Sequence, residues 1–168
     1  MRALLILILL AGPAAARLAE ITLTEFQATA PCAVIGVVEK IAEIDAEERR
    51  GGELRTLNRE ATIRVLERVG RGDCEQPSGS LALLFATEVH SSHPAEGERA
   101  MVFLGLSGGS YVEAVYGRSY WPLSQDNGEW HVLVNWRNTF LIGPLELLSG
   151  ETARVPVNSI RRLWETGK

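Results

Sequence analysis

The sequence predicts a mainly β domain, a small antiparallel β-barrel with a short N-terminal helix and a C-terminal helix. Three observations carry this. Short apolar and β-branched stretches recur along the chain, several of them alternating with polar residues. Glycine-, asparagine- and aspartate-rich turns such as SGGS and DNGE separate them. The first long strand contains Gly36, and a bulge or close backbone approach there suits a strand that bends around a closed barrel. A β-sandwich is the other architecture this spacing permits.

Residues 19–30 fit a strand through Ile21, Leu23 and Glu25, or a helix through Leu23, Phe26 and Ala30. A short helix is preferred, ending before Pro31, because the residue before proline avoids helical geometry. Residues 32–44 are the first firm strand. The stretch from Asp45 to Glu60 is rich in both charges around Gly51-Gly52, and reads as a long hairpin connection or as frayed strand ends. Residues 61–69 alternate, with Ile63, Val65 and Val69 opposite Thr62, Arg64 and Arg68, so one face is buried and one wet. Residues 80–89 are apolar enough for a central strand. Residues 99–106, the SGGS turn and residues 111–117 form the clearest hairpin. Two further strands follow around EWHVLVNW and NTFLIG. The terminal VPVNSIRRLWETGK reads as a helix, with Asn158 as its N-cap and Ile160, Leu163 and Trp164 facing the core.

The first 16 residues have the layout of a cleavable signal peptide. Arg2 supplies a positive charge, an apolar run extends from Ala3 to Ala11, and Gly12-Pro13 precedes Ala14-Ala15-Ala16. The run is well short of the roughly 20 apolar residues that span a bilayer. Of the 168 residues, removal of 16 leaves 152, a single β-barrel domain over 17–168 in a secreted or periplasmic location. Loss of Arg2 takes the formal net charge from −4 to −5. Such a chain is no obvious partner for nucleic acid or anionic membrane. No second stretch is long enough to cross a bilayer.

Export changes the meaning of Cys32 and Cys74. In an oxidising compartment an even count implies a disulfide, and with two cysteines there is one intramolecular pairing. The chain-entropy model puts its contribution at about 4 kcal/mol. Two buried free thiols are the alternative. Neither residue sits in a CxxC or Cys/His cluster of the kind that holds zinc.

Three stretches together resemble a known family. They are Gly36-Val37-Val38, then Val65-Leu66-Glu67-Arg68-Val69-Gly70, then Gly97-Glu98-Arg99-Ala100-Met101-Val102-Phe103-Leu104. Over residues 32–118 the chain resembles bacterial secreted single-domain relatives of the TIMP/netrin-module OB-fold proteins. The resemblance implies an OB barrel. Animal inhibitors of that family chelate a protease zinc through an N-terminal cysteine. This mature chain would begin near Arg17 and meet its first cysteine at Cys32, so that chemistry does not carry over.

Few residues point to chemistry. Gly105-Leu106-Ser107-Gly108-Gly109 spells G-x-S-x-G, with Asp126 and His131 in order behind it. A nucleophile elbow needs a helix after the turn, and a strand follows here. His90 and His93 lie three apart near Glu88, Glu96 and Glu98 and form a candidate metal loop, against a plain solvated loop. Arg71-Gly72-Asp73 spells an adhesion tripeptide at a turn, where Gly and Asp are common anyway. Tyr120, Trp121, Trp130, Trp136 and Phe140 form either an exposed ligand strip or core packing, the latter preferred. Arg55 and Arg59, in the charged connection, are candidate binding residues beside Tyr120 and Trp121. The expectation is a non-enzymatic exported module that binds a protein or saccharide outside the cytoplasm. It needs no cofactor and has no catalytic residue. A metal-dependent activity at His90 and His93 is the second reading. A structural accessory protein of the cell envelope is the third.

Overall fold

The computed structural model describes residues 23–30, 32–48, 55–70, 79–87, 94–114, 119–135 and 152–166. Helix α1 (Leu23–Thr29) ends two residues before Pro31, as the proline rule requires. Strand β1 (Cys32–Glu48) pairs antiparallel with β2 (Arg55–Gly70) along its whole length, from Cys32↔Gly70 to Glu48↔Arg55. The charged stretch is therefore mostly a two-stranded arm. Cross-strand backbone hydrogen bonds tolerate charged side chains when both faces are wet.

The remaining strands are β3 (Ser80–Thr87), β4 (Arg99–Ser107), β5 (Ser110–Glu113), β6 (Tyr120–Asp126), β7 (Glu129–Asn135) and β8 (Thr152–Pro156). Helix α2 (Val157–Thr166) closes the described chain. Strands β1, β2, β3, β5 and β4 follow one another around a closed barrel, and β4 returns to pair with β1. The one parallel contact is β3 with β5, through Leu83↔Tyr111 and Leu84↔Val112. This is an OB-type barrel. From β4 the sheet continues outward through β6, β7 and β8.

Closure bends β1 and β2, and three bulges absorb the bend. The register skips Leu66 between Ile35 and Gly36, Glu39 between Val38 and Lys40, and Ile44 between Glu43 and Asp45. A bulged residue has no cross-strand partner and is turned aside. That explains why Leu66 and Ile44 are exposed although apolar, at 40% and 56%. Glu39 uses its bulge differently, accepting a hydrogen bond from Arg64 Nε at 2.9 Å. Gly36 sits at the first bulge. A Cβ there would lie 2.4 Å from Ile63 Cγ2 and 2.8 Å from the Arg64 carbonyl oxygen.

Two cores result. Val34, Val38, Ile63, Leu83, Val102 and Leu104 fill the barrel. The opposite faces of β1 and β4 present Ala33, Ile35, Met101 and Phe103 to a second layer, which supplies Trp121, Val132, Val134, Ile160 and Trp164. Phe103 is the pivot of that layer. Its ring packs edge-on against Trp121 at 5.0 Å and Trp164 at 4.7 Å. Gln27 Nε2 donates to the Trp164 carbonyl at 2.8 Å and ties α1 to α2.

Two expectations change near the C-terminus. Val155 and Pro156 belong to β8, because Val155 pairs with Val132 and Pro156 with His131. The helix therefore starts at Val157, and Asn158 lies inside its first turn instead of capping it. Among the described residues no helix is long and apolar enough to cross a membrane. Residues 1–16, Cys74, His90, His93, Trp136, Phe140 and the Arg71-Gly72-Asp73 turn lie outside the described residues.

The contact at Gly36 gives a stability test. Gly36→Ala should cost about 1–3 kcal/mol through overpacking, read as a lower urea midpoint at unchanged slope. An unchanged midpoint would contradict the close approach.

Candidate functional site

Side chains alternate across a strand, so Arg99 shares the outer face of β4 with Met101 and Phe103. Phe103 is covered by the second layer. Arg99, four residues earlier, reaches an open seam between the barrel wall and that layer. The seam is a groove of about 600 Å³. Barrel residues Ile35, Glu67 and Arg99 form one wall; Leu123, Glu129, Trp130 and the Asn127-Gly128 turn form another. Val157, Asn158 and Arg161 of α2 close it.

Two arginines in the groove are held differently. Arg161 Nη2 donates to Glu67 Oε1 at 2.7 Å and pins α2 to β2. The Arg99 guanidinium carbon lies 4.2 Å from the centroid of the Trp130 ring. This cation–π contact fixes the side chain but leaves its charge unneutralised. Among the described residues Arg99 takes part in no ion pair, unlike Arg64 with Glu39 and Arg154 with Asp126. The Nε atoms of both Arg99 and Arg161 are buried without a hydrogen-bond partner. Buried donors are ordinarily satisfied, so an orphaned pair in one groove is chemically unusual.

Tyr120 and Trp121 do not form a surface strip. They are 1% and 0% exposed and belong to the two cores, which is the packing alternative. Tyr120 has a structural task. Its hydroxyl donates to Glu98 Oε2 at 2.6 Å, and the Ala95 amide donates to the same oxygen at 3.3 Å. The backbone of that turn zips onto β1: Val38 N–H donates to the Glu98 carbonyl, and Gly97 N–H to the Val38 carbonyl. Glu96 Oε1 accepts from the Ile41 amide at 2.8 Å. The Gly97-Glu98 pair seen in the sequence is thus a clasp on the barrel wall.

Arg59 lines a second, more apolar groove of about 390 Å³ with Ile44, Leu84, Phe85 and Val112. Arg55 lies four residues away at the tip of β2, paired with Glu48, and its side chain is not among those described. The structure therefore places Arg59 in this groove, apart from Tyr120 and Trp121 in the cores. Ser107 lies at the end of β4, paired with Ser110 across a turn in which Gly108 and Gly109 both have positive φ, 58° and 85°. This is a two-residue hairpin turn, not a strand-to-helix elbow. Among the described residues no group of three His, Cys, Asp or Glu side chains is placed to hold a metal.

Sequence reasoning missed Arg99, Arg161 and Glu67 as a site. In the sequence Trp130 reads only as one of several aromatics. The four residues come from β4, α2, β2 and β7, and no spacing in the chain links them. No family model matches the chain, and neither a curated protein nor a solved structure is a match to it.

The Tyr120 clasp titrates in the alkaline range. Burial, and then the Glu98 hydrogen bond and charge, push the phenol above its ordinary value, which is about 10. Above about pH 10 the unfolded chain loses this proton while the folded one keeps it. The contribution to stability is complete below that pH and is lost as pH rises further. Tyr120→Phe should lower stability by about 1–3 kcal/mol at neutral pH. It should also flatten the decline above about pH 10. A variant that declines as steeply as the parent would show the clasp plays no part.

Proposed function

We propose that the protein is an exported, non-enzymatic binding module that takes its ligand in the groove between barrel and second layer. The observation that carries this is Arg99, a cation stacked on Trp130, half-buried, and without an anionic partner among the described residues. Leaving a guanidinium in that state costs stability unless a ligand completes its contacts. A rigid scaffold with one such feature is what a binding site requires.

OB barrels ordinarily bind rather than catalyse, which fits this reading. The resemblance to netrin modules rests on the three sequence stretches, and fold alone does not name a ligand. Arg99 already covers one face of Trp130, which weighs against a stacked sugar ring there and towards a ligand with an anionic group.

Export and the disulfide belong to the same reading. Cys32 is buried at the start of β1, opposite Gly70 at the end of β2. Paired Cα atoms in an antiparallel ladder lie about 4.5–5.5 Å apart. Four residues of chain span at most about 14 Å. The connection from Gly70 to Cys74 is thus long enough to turn back to a bridging distance of about 5.5 Å. No free cysteine occurs among the described residues.

Both parts are testable. Immobilised mature protein should retain ligand from an envelope or culture-supernatant extract, and an Arg99→Ala, Trp130→Ala double variant of comparable melting temperature should not. Equal retention would remove the groove as the binding site. Intact-mass measurement of the exported protein should find it lighter than its reduced form by the two thiol hydrogens. Ready alkylation of both cysteines without reductant would rule the bridge out.

A further inference from the structure

We infer that the groove is a receptor for a monocarboxylate carrying an apolar body, with the Arg99 guanidinium as its carboxylate contact. This rests on the groove being a binding site and goes further by naming the ligand chemistry.

The placement of charge, not its sum, selects a monoanion. Four ionisable side chains line the groove: Arg99, Arg161, Glu67 and Glu129. Arg161 is neutralised by Glu67 at 2.7 Å. Glu129 lies 3.8 Å from the His131 Nε2 and forms no ion pair with Arg99. The four formal charges sum to zero, but among the described residues Arg99 is the groove cation that stands outside any ion pair. A single negative charge matches it. A phosphate dianion would bring a second negative charge beside Glu129 with only Arg99 free to offset it, and like-charge contacts oppose binding.

The donor geometry selects a carboxylate among monoanions. A guanidinium presents parallel N–H groups that match the two oxygens of a carboxylate, and such paired contacts are stronger than neutral hydrogen bonds. Trp130 holds the guanidinium against its ring at 4.2 Å, so less freedom is lost when the ligand docks.

The rest of the lining selects an apolar body. Ile35, Leu123 and Val157 belong to the outer core and border the same groove. The volume of about 600 Å³ falls within the range of about 300–1,000 Å³ usual for small-molecule sites. A compact organic acid fits both the size and the split between one charged contact and an apolar wall.

The test is calorimetric titration of the mature protein with phenylacetate, its neutral counterpart phenylacetamide, and phenyl phosphate. The Trp130 indole NMR resonance reports where each binds. Phenylacetate should bind about tenfold or more tighter than the amide, as expected for charged hydrogen bonds. It should also outbind phenyl phosphate. Arg99→Gln should abolish the preference for acid over amide. Arg99→Lys, which keeps the charge but not the paired donors, should lose most of it. Glu129→Gln, at an exposed side chain, should narrow the gap between phenylacetate and phenyl phosphate. Equal binding of acid and amide with a shifted Trp130 signal would overturn the carboxylate assignment while leaving the groove a binding site. Tightest binding by phenyl phosphate would overturn it in the same way. Absence of any Trp130 shift with all three probes would also overturn it, and the retention experiment above then decides independently whether the groove binds anything.

Discussion

Strand β4 has three neighbours, and the rest of the architecture follows from satisfying them. Its first half lies between β1 and β6, and its second half turns to β5. Pairing with β1 closes the barrel. Pairing with β6 starts the outer sheet. A strand with neighbours on both edges and layers on both faces can expose almost nothing, and Ala100 to Leu104 are all 1% exposed or less. Each alternate side chain therefore commits to a different core, Val102 and Leu104 to the barrel, Met101 and Phe103 to the outer layer.

The groove is a consequence of where that double burial stops. Around Phe103 the outer layer is dense, with two tryptophans set edge-on against the ring. Arg99 lies four residues back along the same face, about 13 Å at strand spacing. There the covering elements are a hairpin turn and the first turn of α2, and neither fills the space. An arginine is tolerated at that margin because its stem is apolar and Trp130 offers a face to its charge. The Arg161–Glu67 pair holds the far side of the groove in place without adding net charge.

Much of the fold was legible in the chain because its signals are local. The turns at SGGS and DNGE, the helix stopped by Pro31, and the bulge at Gly36 each depend on a few adjacent residues. The unbroken apolar run from Cys32 to Ile35 is what a strand buried on both faces needs. One local reading failed where tertiary pairing overrode it. β8 drew Val155 and Pro156 into the outer sheet, so the helix begins later than its amphipathic pattern allows. The charged stretch is the hairpin connection the chain suggests, with its strands paired further out because β1 and β2 are already in register below it. Leu66 and Ile44 resist sequence logic for a different reason: a bulge reverses which face a residue takes, and alternation cannot announce it.

What the chain determined by itself is its β character, its turn positions, its terminal helix and the two cysteines whose pairing export would favour. These rest on periodicity, backbone propensity and composition, all carried by neighbouring residues. The tertiary structure alone decided which aromatics are core and which are not. It placed Tyr120 and Trp121 inside and left Trp130 at the seam. It alone brought Arg99 to that ring, without an anionic partner among the described residues, from strands separated by two turns and a sheet crossing. A site assembled from four distant elements has no pattern in one dimension, because its geometry exists only once the barrel has closed and the outer layer has packed against it.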